Sequence, residues 1–517
     1  MTRSLDPATL RDLFDRVASA AAEDVDAHPG DPAGRQPVHT LYVPADRFSA
    51  GTVAETGAEA LRLLEAHAAT PASFAAAFGI AQGLAEAVRQ RVTAKLRDEP
   101  VEDLRIDFED GYGVRDDVTE DEHAAAAAIV VAEAMGAGTL TPFVGLRVKS
   151  FCDGLVQRSV RTLDVFLTAL LERTGGRLPS GFAVTFPKII APEHVEGFAE
   201  VCARLETALG LAAGLLRFEL QIETTQSIVD RDGRLALPAL VAAGGGRVSA
   251  AHFGVFDYTA ACGLLPAEQR STHPACDFAR HVLQTTLAGT GVRLSDGSTN
   301  VVPAGDTRAD VLAAWKVHAA GVRHSWAHGY YQGWDLHPAH LPSRFATVYA
   351  ILLGGLDDVL ARIKAWTAQS AAAGVLDEPA TARALLTHLR RAIDCGAIPE
   401  AEALDRAGID PAILRPEPGV LARVWRCRSG RSLTGPGSAS PGRSWRSRSP
   451  TMGTGLRSSL ASRAAACRWR GRSPTPWRSK AASSSTSSTT PASTSGSTRR
   501  WSCRRSSTST RPVAPVS

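Results

Sequence analysis

The sequence predicts an α/β protein, a (β/α)8 TIM barrel with an N-terminal helix, additional C-terminal helices and a disordered basic tail. Three observations point there. Short apolar runs alternate with helix-length stretches six times in succession from residue 38 onward. The runs read as apolar on both faces, as in a parallel sheet covered by helices. Carried on over about 300 residues, the alternation leaves room for eight units, which suits a closed barrel better than an open doubly wound sheet.

The elements follow in order. Residues 7–24 place Leu10, Leu13, Phe14 and Val17 at helical spacing and read as an amphipathic helix. A linker rich in Gly, Pro and Asp follows through Pro37, so residues 1–37 form a leading helix and linker. The barrel occupies residues 38–345. Its strands are expected at 38–45, 104–109, 143–148, 182–189, 218–223 and 248–258, with 292–302 and 330–337 as the seventh and eighth. Helices are expected through the Ala-rich fifties and sixties, at 120–135, 155–173, 192–209 and 237–243, from 274, and at 310–328. Helices at 344–369 and 378–391 belong to a helical extension spanning 346–425.

From Arg426 the pattern stops. Residues 426–517 hold 17 Arg, one Lys and no Asp or Glu, so the chain's +4 divides into +18 for this segment and −14 for residues 1–425. The folded part is thus an acidic protein, and the basic balance says nothing about nucleic acid binding by it. A segment of Ser, Arg, Pro, Gly and Thr without apolar periodicity cannot bury enough surface to offset the entropy of ordering. Two readings stand for it: an Arg/Ser-rich RNA-binding tail, or a shifted reading frame in GC-rich coding DNA. The lone Trp445, Trp469, Trp477 and Trp501 favour the second.

Five cysteines precede residue 426, namely Cys152, Cys202, Cys262, Cys276 and Cys395. They are scattered without CxxC spacing, which suggests neither a zinc site nor a disulfide framework and fits a reducing cytosol. The N-terminus has no apolar h-region, and Asp6, Asp12 and Asp15 argue against a targeting peptide. No apolar run approaches the roughly 20 residues of a membrane span. A cytoplasmic protein with no membrane partner is expected.

The chemistry is expected at the C-terminal ends of the strands, where barrel active sites gather. Glu223 closes Leu220-Gln221-Ile222-Glu223-Thr224, and Asp257 closes Phe253-Gly254-Val255-Phe256-Asp257. Neighbouring parallel strands lie roughly 5 Å apart. Carboxylates at the ends of adjacent strands would converge on one point, as needed to hold a hard cation such as Mg²⁺. Arg147, inside an apolar strand, needs an anionic partner; its planar fork suits a substrate carboxylate, and a structural pair with Glu109 or Asp110 is the alternative. Lys188 ends the fourth strand as a functional or a surface-seeking lysine. Glu109 and Asp110 either bind water around the cation or cap the next helix. Of His318, His324, His328, His337 and His340, most read as helix-surface or packing residues, because no HExxH spacing is present. His337 differs, since it ends a predicted strand. No GxSxG elbow or GxxxxGK[ST] loop occurs.

Taken together, these motifs resemble the citrate lyase β-subunit-like branch of the HpcH/HpaI aldolase superfamily, related to malate synthase and the phosphoenolpyruvate/pyruvate barrels. Leu41-Tyr42-Val43-Pro44-Ala45-Asp46-Arg47 is similar to the family's opening segment and its basic residue. Ile106-Asp107-Phe108-Glu109-Asp110, Leu146-Arg147-Val148 and Phe186-Pro187-Lys188 resemble its next three strands. The strands ending in Glu223 and Asp257 resemble its metal-ligand strands, and His337-Pro338-Ala339-His340 its late histidine element. Phe256 and His340 depart from the family pattern, and Phe256-Asp257-Tyr258 leans toward malate synthase. The resemblance implies metal ligands Glu223 and Asp257, substrate-binding Arg47, Arg147 and His337, and catalytic Arg147, Glu109, Asp110 and Lys188. It implies Mg²⁺, or Mn²⁺ in its place, CoA as part of a thioester substrate, and a homo-oligomer. The expected activity is Mg²⁺-dependent carbon–carbon cleavage of a small oxo- or hydroxy-acid or its CoA thioester. Condensation of acetyl-CoA with glyoxylate is the enzymatic alternative. RNA binding through the tail is the alternative from another class.

Overall fold

The computed structural model describes residues 7–152, 154–368 and 378–415. They belong to one unit, Met1–Thr434, and the predicted tail at 426–517 lies outside the described residues.

Eight parallel strands close on themselves in sequence order: β1 (His39–Pro44), β2 (Asp103–Asp107), β3 (Phe143–Arg147), β4 (Phe182–Phe186), β5 (Phe218–Ile222), β6 (Val248–Phe253), β7 (Arg293–Asp296) and β8 (Gln332–Asp335). The predicted (β/α)8 barrel is therefore present. Helix α1 (Arg11–Ala27) precedes it and buries none of its residues; Phe14 and Val17, on its apolar stripe, stand exposed. After β1 come α2 (Thr52–His67), α3 (Pro71–Phe78) and α4 (Gln82–Asp98). Single helices α5 (Asp117–Ala137), α6 (Val156–Thr174) and α7 (Pro192–Ala208) follow β2, β3 and β4. Short helices α8 (Thr225–Ile228) and α9 (Leu237–Ala243) follow β5, while α10 (Val255–Ala261) and α11 (Pro274–Leu287) follow β6. Helix α12 (Arg308–Ala327) follows β7, and α13 (His340–Gly354) follows β8. The chain continues through α14 (Leu356–Thr367), α15 (Pro379–Asp394), α16 (Glu400–Ala407) and α17 (Pro411–Leu414). The expected boundary after residue 345 falls inside α13.

Alternate residues of each strand face outward and form the apolar layer beneath the helices. Leu104, Ile106, Val144, Leu146, Val184, Leu220 and Ile222 are buried there, and Phe186 stacks on Phe198 of α7 with ring centres 4.5 Å apart. The inward positions depart from the reading of strands apolar on both faces. Arg105 of β2 donates to Asp103 at 2.7 Å and lies 3.1 Å from Glu219 of β5. Trp334 of β8 donates across the barrel to His252 Nδ1 at 2.8 Å, and His252 Nε2 lies 3.1 Å from Glu219. Thr40 bridges Asp103 and Gln332 at 2.8 and 2.9 Å. A buried charge is tolerated when paired, and here the pairs cross between strands.

The seam between the last and first strands is short: His39, Thr40 and Leu41 pair with Gly333, Trp334 and Asp335. Asp335, fully buried, fastens it from outside the barrel. Its carboxylate accepts from His39 Nδ1 at 2.8 Å, His318 Nε2 of α12 at 2.9 Å and Arg344 Nη2 of α13 at 2.9 Å. His39 Nε2 in turn accepts the Glu102 N–H at 3.1 Å. Against the pull of burial, Arg344, His318 and His39 hold Asp335 well below the usual carboxylate range. Asp335→Ala would strand the buried Arg344 without its anion. The expected loss is about 3–5 kcal/mol of unfolding free energy; a urea midpoint equal to that of the unsubstituted chain would show that the seam closes without this pair.

Candidate active site

At the C-terminal ends of the strands, side chains of opposite charge gather. The chain turns at Asp107, whose Oδ1 accepts the Glu109 N–H and whose Oδ2 accepts the Gly111 N–H, both at 2.9 Å. Glycine is needed at 111, since a Cβ there would lie 2.6 Å from Asp107 Oδ2. The same carboxylate takes Arg147 of β3 in a two-pronged pair, Nε to Oδ1 and Nη2 to Oδ2, each at 2.6 Å. Arg147 is 6 % exposed and lies over the Tyr42 ring at 5.0 Å. Sequence reasoning gave this arginine a substrate or Glu109 and Asp110 as partners; its principal partner is Asp107, which was not singled out. Nη1 is left turned toward Glu109 Oε2 at 3.3 Å and Asp110 Oδ2 at 3.9 Å.

Lys188 stands two residues beyond β4 with φ 52°, the one non-glycine residue of positive φ among the described residues. Its N–H donates to Glu223 Oε1 at 2.9 Å. Its Nζ reaches Glu109 and, at 2.7 Å, Asp110 Oδ1. Although burial opposes its charge, Glu109 and Glu223 hold the ammonium above the usual lysine range. A backbone in this region costs of order 1–3 kcal/mol for a residue with a Cβ and persists where the surroundings over-determine it.

Glu223 follows β5 and is 2 % exposed. Gln221 donates to its Oε2 at 2.5 Å, and Gly254 makes room for it, since a Cβ there would lie 2.6 Å from that oxygen. The sixth strand was expected to run to Asp257, but β6 stops at Phe253 and Asp257 sits in the first turn of α10. Its charge still acts on Glu223: burial, then Asp257 and Glu109, push Glu223 up to about 8 against the pull of Lys188. Burial and Asp110 likewise push Glu109 up to about 7 against Arg147 and Lys188. The cluster thus sets five carboxylates against two cations. Those cations pair with Asp107, Glu109 and Asp110, and neither Glu223 nor Asp257 has a salt bridge among the described residues.

The remaining expected residues lie around this cluster. Arg47 is exposed in the turn Ala45–Arg47. His337 lies two residues past β8, where its Nδ1 accepts the Ala339 N–H at 3.1 Å. Lys149 points outward and is structural, donating to Phe108 O at 2.6 Å and Glu120 at 2.8 Å. Two cavities, of about 170 and 230 Å³, lie at the opposite ends of the strands, where Arg293 lines both.

Residues 17–418 match the model of a family described as a domain of unknown function, DUF6986. The chain belongs to that family. The DUF6986 match takes in every strand and stops before the Arg/Ser-rich segment. No curated protein matches the sequence. Among solved structures, a citrate lyase from Burkholderia xenovorans LB400 is similar at 19 % identity and TM-score 0.49, over 74 % of this chain and 98 % of that one. A malate synthase from Haloferax volcanii is similar at 17 % identity and TM-score 0.39, over 74 % and 97 %. At these scores the likenesses add nothing to the barrel that the strand order already establishes.

The two raised carboxyls set a pH dependence. Both bind a proton more tightly in the folded chain than at the ordinary glutamate value of 4.5. The stability they confer is complete below that value and is lost as pH rises through about 7 and 8. From these two groups the melting temperature of the metal-free chain is expected to fall between about pH 4.5 and pH 8, and Glu223→Gln to flatten the upper part of that fall. Thermal melts across the interval check this; a curve for Glu223→Gln that overlays the unsubstituted chain would contradict it.

Proposed function

We propose that this protein is a divalent-cation-dependent carbon–carbon lyase of the aldolase type, acting on a small oxo- or hydroxy-acid or its CoA thioester. The observation that carries the reading is a deeply buried Glu223 that feels the charge of Asp257 while neither carboxylate forms a salt bridge among the described residues. The motif resemblance to citrate lyase β-subunit-like barrels supports the same assignment.

The residues present fit a hard divalent cation. The donors are carboxylate oxygens, the glycine at 254 leaves space beside Glu223, and burial together with the charges of Asp257 and Glu109 raises Glu223 in the cation's absence. Glu223 and Asp257 would hold Mg²⁺ or Mn²⁺, which supplies Lewis-acid polarisation of a carbonyl or carboxylate oxygen. The protein's own groups do the rest. Asp107 fixes the Arg147 fork at two of its nitrogens, so Nη1 is presented as a rigid donor to a substrate carboxylate or a developing oxyanion. Lys188 Nζ keeps Glu109 and Asp110 in place and balances their charge. Glu109, near neutrality in its proton affinity, is positioned to take or return a proton at Oε2, the oxygen that faces Arg147. Arg47 and His337, outside this cluster, are assigned to the distal part of the substrate.

The test is a Mg²⁺-dependent screen of oxo-acids, hydroxy-acids and CoA thioesters for cleavage by the full chain. Glu223→Ala and Asp257→Ala are expected to lower the metal-dependent rate by more than the roughly 100-fold that removing an outer hydrogen-bond partner of a metal ligand costs. Both should leave the far-UV spectrum unchanged. Full activity in either variant removes the metal assignment. Release of free CoA from acetyl-CoA and glyoxylate would move the reaction from cleavage to condensation at the same site.

A further inference from the structure

On the outside of the barrel a second group of ligating side chains comes together. Helix α11 presents Asp277 and His281 one turn apart, and α12 presents His324, with His328 one turn on at its C-terminal cap. Residues four apart share a helix face. His324 Nε2 lies 2.7 Å from Asp277 Oδ1, and His328 Nε2 lies 3.7 Å from the same oxygen. One ligand atom from each of these three residues falls within 4.8 Å of the others. The ring of His281 lies 5.4 Å from that of His328, and the rings of His324 and His328 are 4.3 Å apart.

Two features around the cluster suit ligation. His328 Nδ1 lies 2.8 Å from the carbonyl of His324, which can only accept, so Nδ1 carries a hydrogen and Nε2, on the Asp277 side, is the nitrogen whose lone pair is available to a cation in the neutral ring. An imidazole held this way by a carbonyl is the usual outer support of a metal-bound histidine. Arg280 Nη1 donates to Asp277 Oδ1 at 2.7 Å, which fixes the carboxylate. The arginine's charge is answered elsewhere, by the buried Asp296 at 2.9 Å. The three core ligands are half-buried, so a cation can reach them from solvent.

We propose that Asp277, His324 and His328, with His281 as the fourth ligand, form a zinc site that braces α11 against α12. Imidazoles with one carboxylate select Zn²⁺ or a neighbouring borderline ion over Mg²⁺, which prefers oxygen ligands. This site is independent of the lyase reading. The competing account of the same geometry is a metal-free helix clasp, a histidine–aspartate ion pair between Asp277 and His324.

Calorimetric titration of the metal-free full chain with ZnCl₂, in Mg²⁺-containing buffer, separates the two. The unsubstituted chain is expected to take up one equivalent more than His324→Gln/His328→Gln, at submicromolar Kd. Melting temperatures in EDTA verify that the double variant is folded. His281→Ala removes an exposed side chain, cannot unfold the barrel, and is expected to weaken zinc binding at least tenfold with no change of melting temperature in EDTA. Equal zinc uptake by the unsubstituted chain and the double variant overturns the site and leaves the ion-pair clasp. Unchanged affinity in His281→Ala overturns the fourth ligand.

Discussion

The structure depends on barrel closure, and at the closing seam one buried carboxylate, Asp335, joins three elements. Strands β7 and β8 have four residues each, and the β1–β8 ladder has three residue pairs, so the backbone alone holds the ring weakly where it meets itself. Asp335 compensates by drawing groups from β1, α12 and α13 onto one anion. Because three partners satisfy it, its desolvation is offset, whereas a single counter-ion would leave lone pairs unpaired. The position of every group at the mouth follows from this. Arg147 ends β3, and Glu109, Lys188 and Glu223 follow β2, β4 and β5; they face a common centre only when the sheet is curved into a closed ring.

Inside that ring the charge is layered. In the lower layer Arg105 lies against both Asp103 and Glu219, with His252 Nε2 beside Glu219. In the upper layer Arg147 and Lys188 form their salt bridges with Asp107, Glu109 and Asp110, and the charge of Lys188 offsets only part of what burial and Asp257 do to Glu223. A protein selected for stability alone would place apolar side chains there, as barrel interiors commonly do. The left-handed backbone at Lys188 belongs to the same pattern: local strain is kept at a residue whose N–H and ammonium both lie against carboxylates of the mouth.

Much of this was legible in the sequence, for physical reasons. The outward strand residues pack under helices and are mostly apolar, so apolar runs marked the first six strands and charged residues ending those runs marked the mouth; β7 and β8, Arg293–Asp296 and Gln332–Asp335, carry no such run. Boundaries were less legible. Asp257 was read at a strand end because Val255 and Phe256 continue the apolar run, yet Gly254 breaks β6 and the same residues begin α10. Helices α3 and α4 were missed because Ala-rich, weakly patterned stretches give little periodic signal. Asp107 was passed over as part of a strand, and no spacing rule shows that it would reach the neighbouring strand to grip Arg147. The histidines of α12 have a related history. Their i,i+4 spacing is visible in the sequence, but Asp277 lies 47 residues from His324, and only packing brings the two helices together.

The two cation sites inferred here differ in ligand chemistry, which determines how they can coexist. At the mouth the donors are carboxylate oxygens in a cluster of net negative charge, and an ion of small radius and strong hydration is favoured there. Between α11 and α12 the donors are imidazole nitrogens beside an arginine, a setting in which electrostatic attraction is weak and covalent preference for nitrogen decides. Mg²⁺ gains little from the second set, so it would fill the mouth without occupying the helix site. Zn²⁺ can bind carboxylates as well, but at the mouth it competes with abundant Mg²⁺, whereas between the helices it does not. The separation is reinforced by burial. Glu223 is nearly inaccessible, while Asp277, His324 and His328 are half-buried and open to solvent. A structural ion on the barrel wall and a catalytic one at its mouth can therefore be loaded independently by one chain.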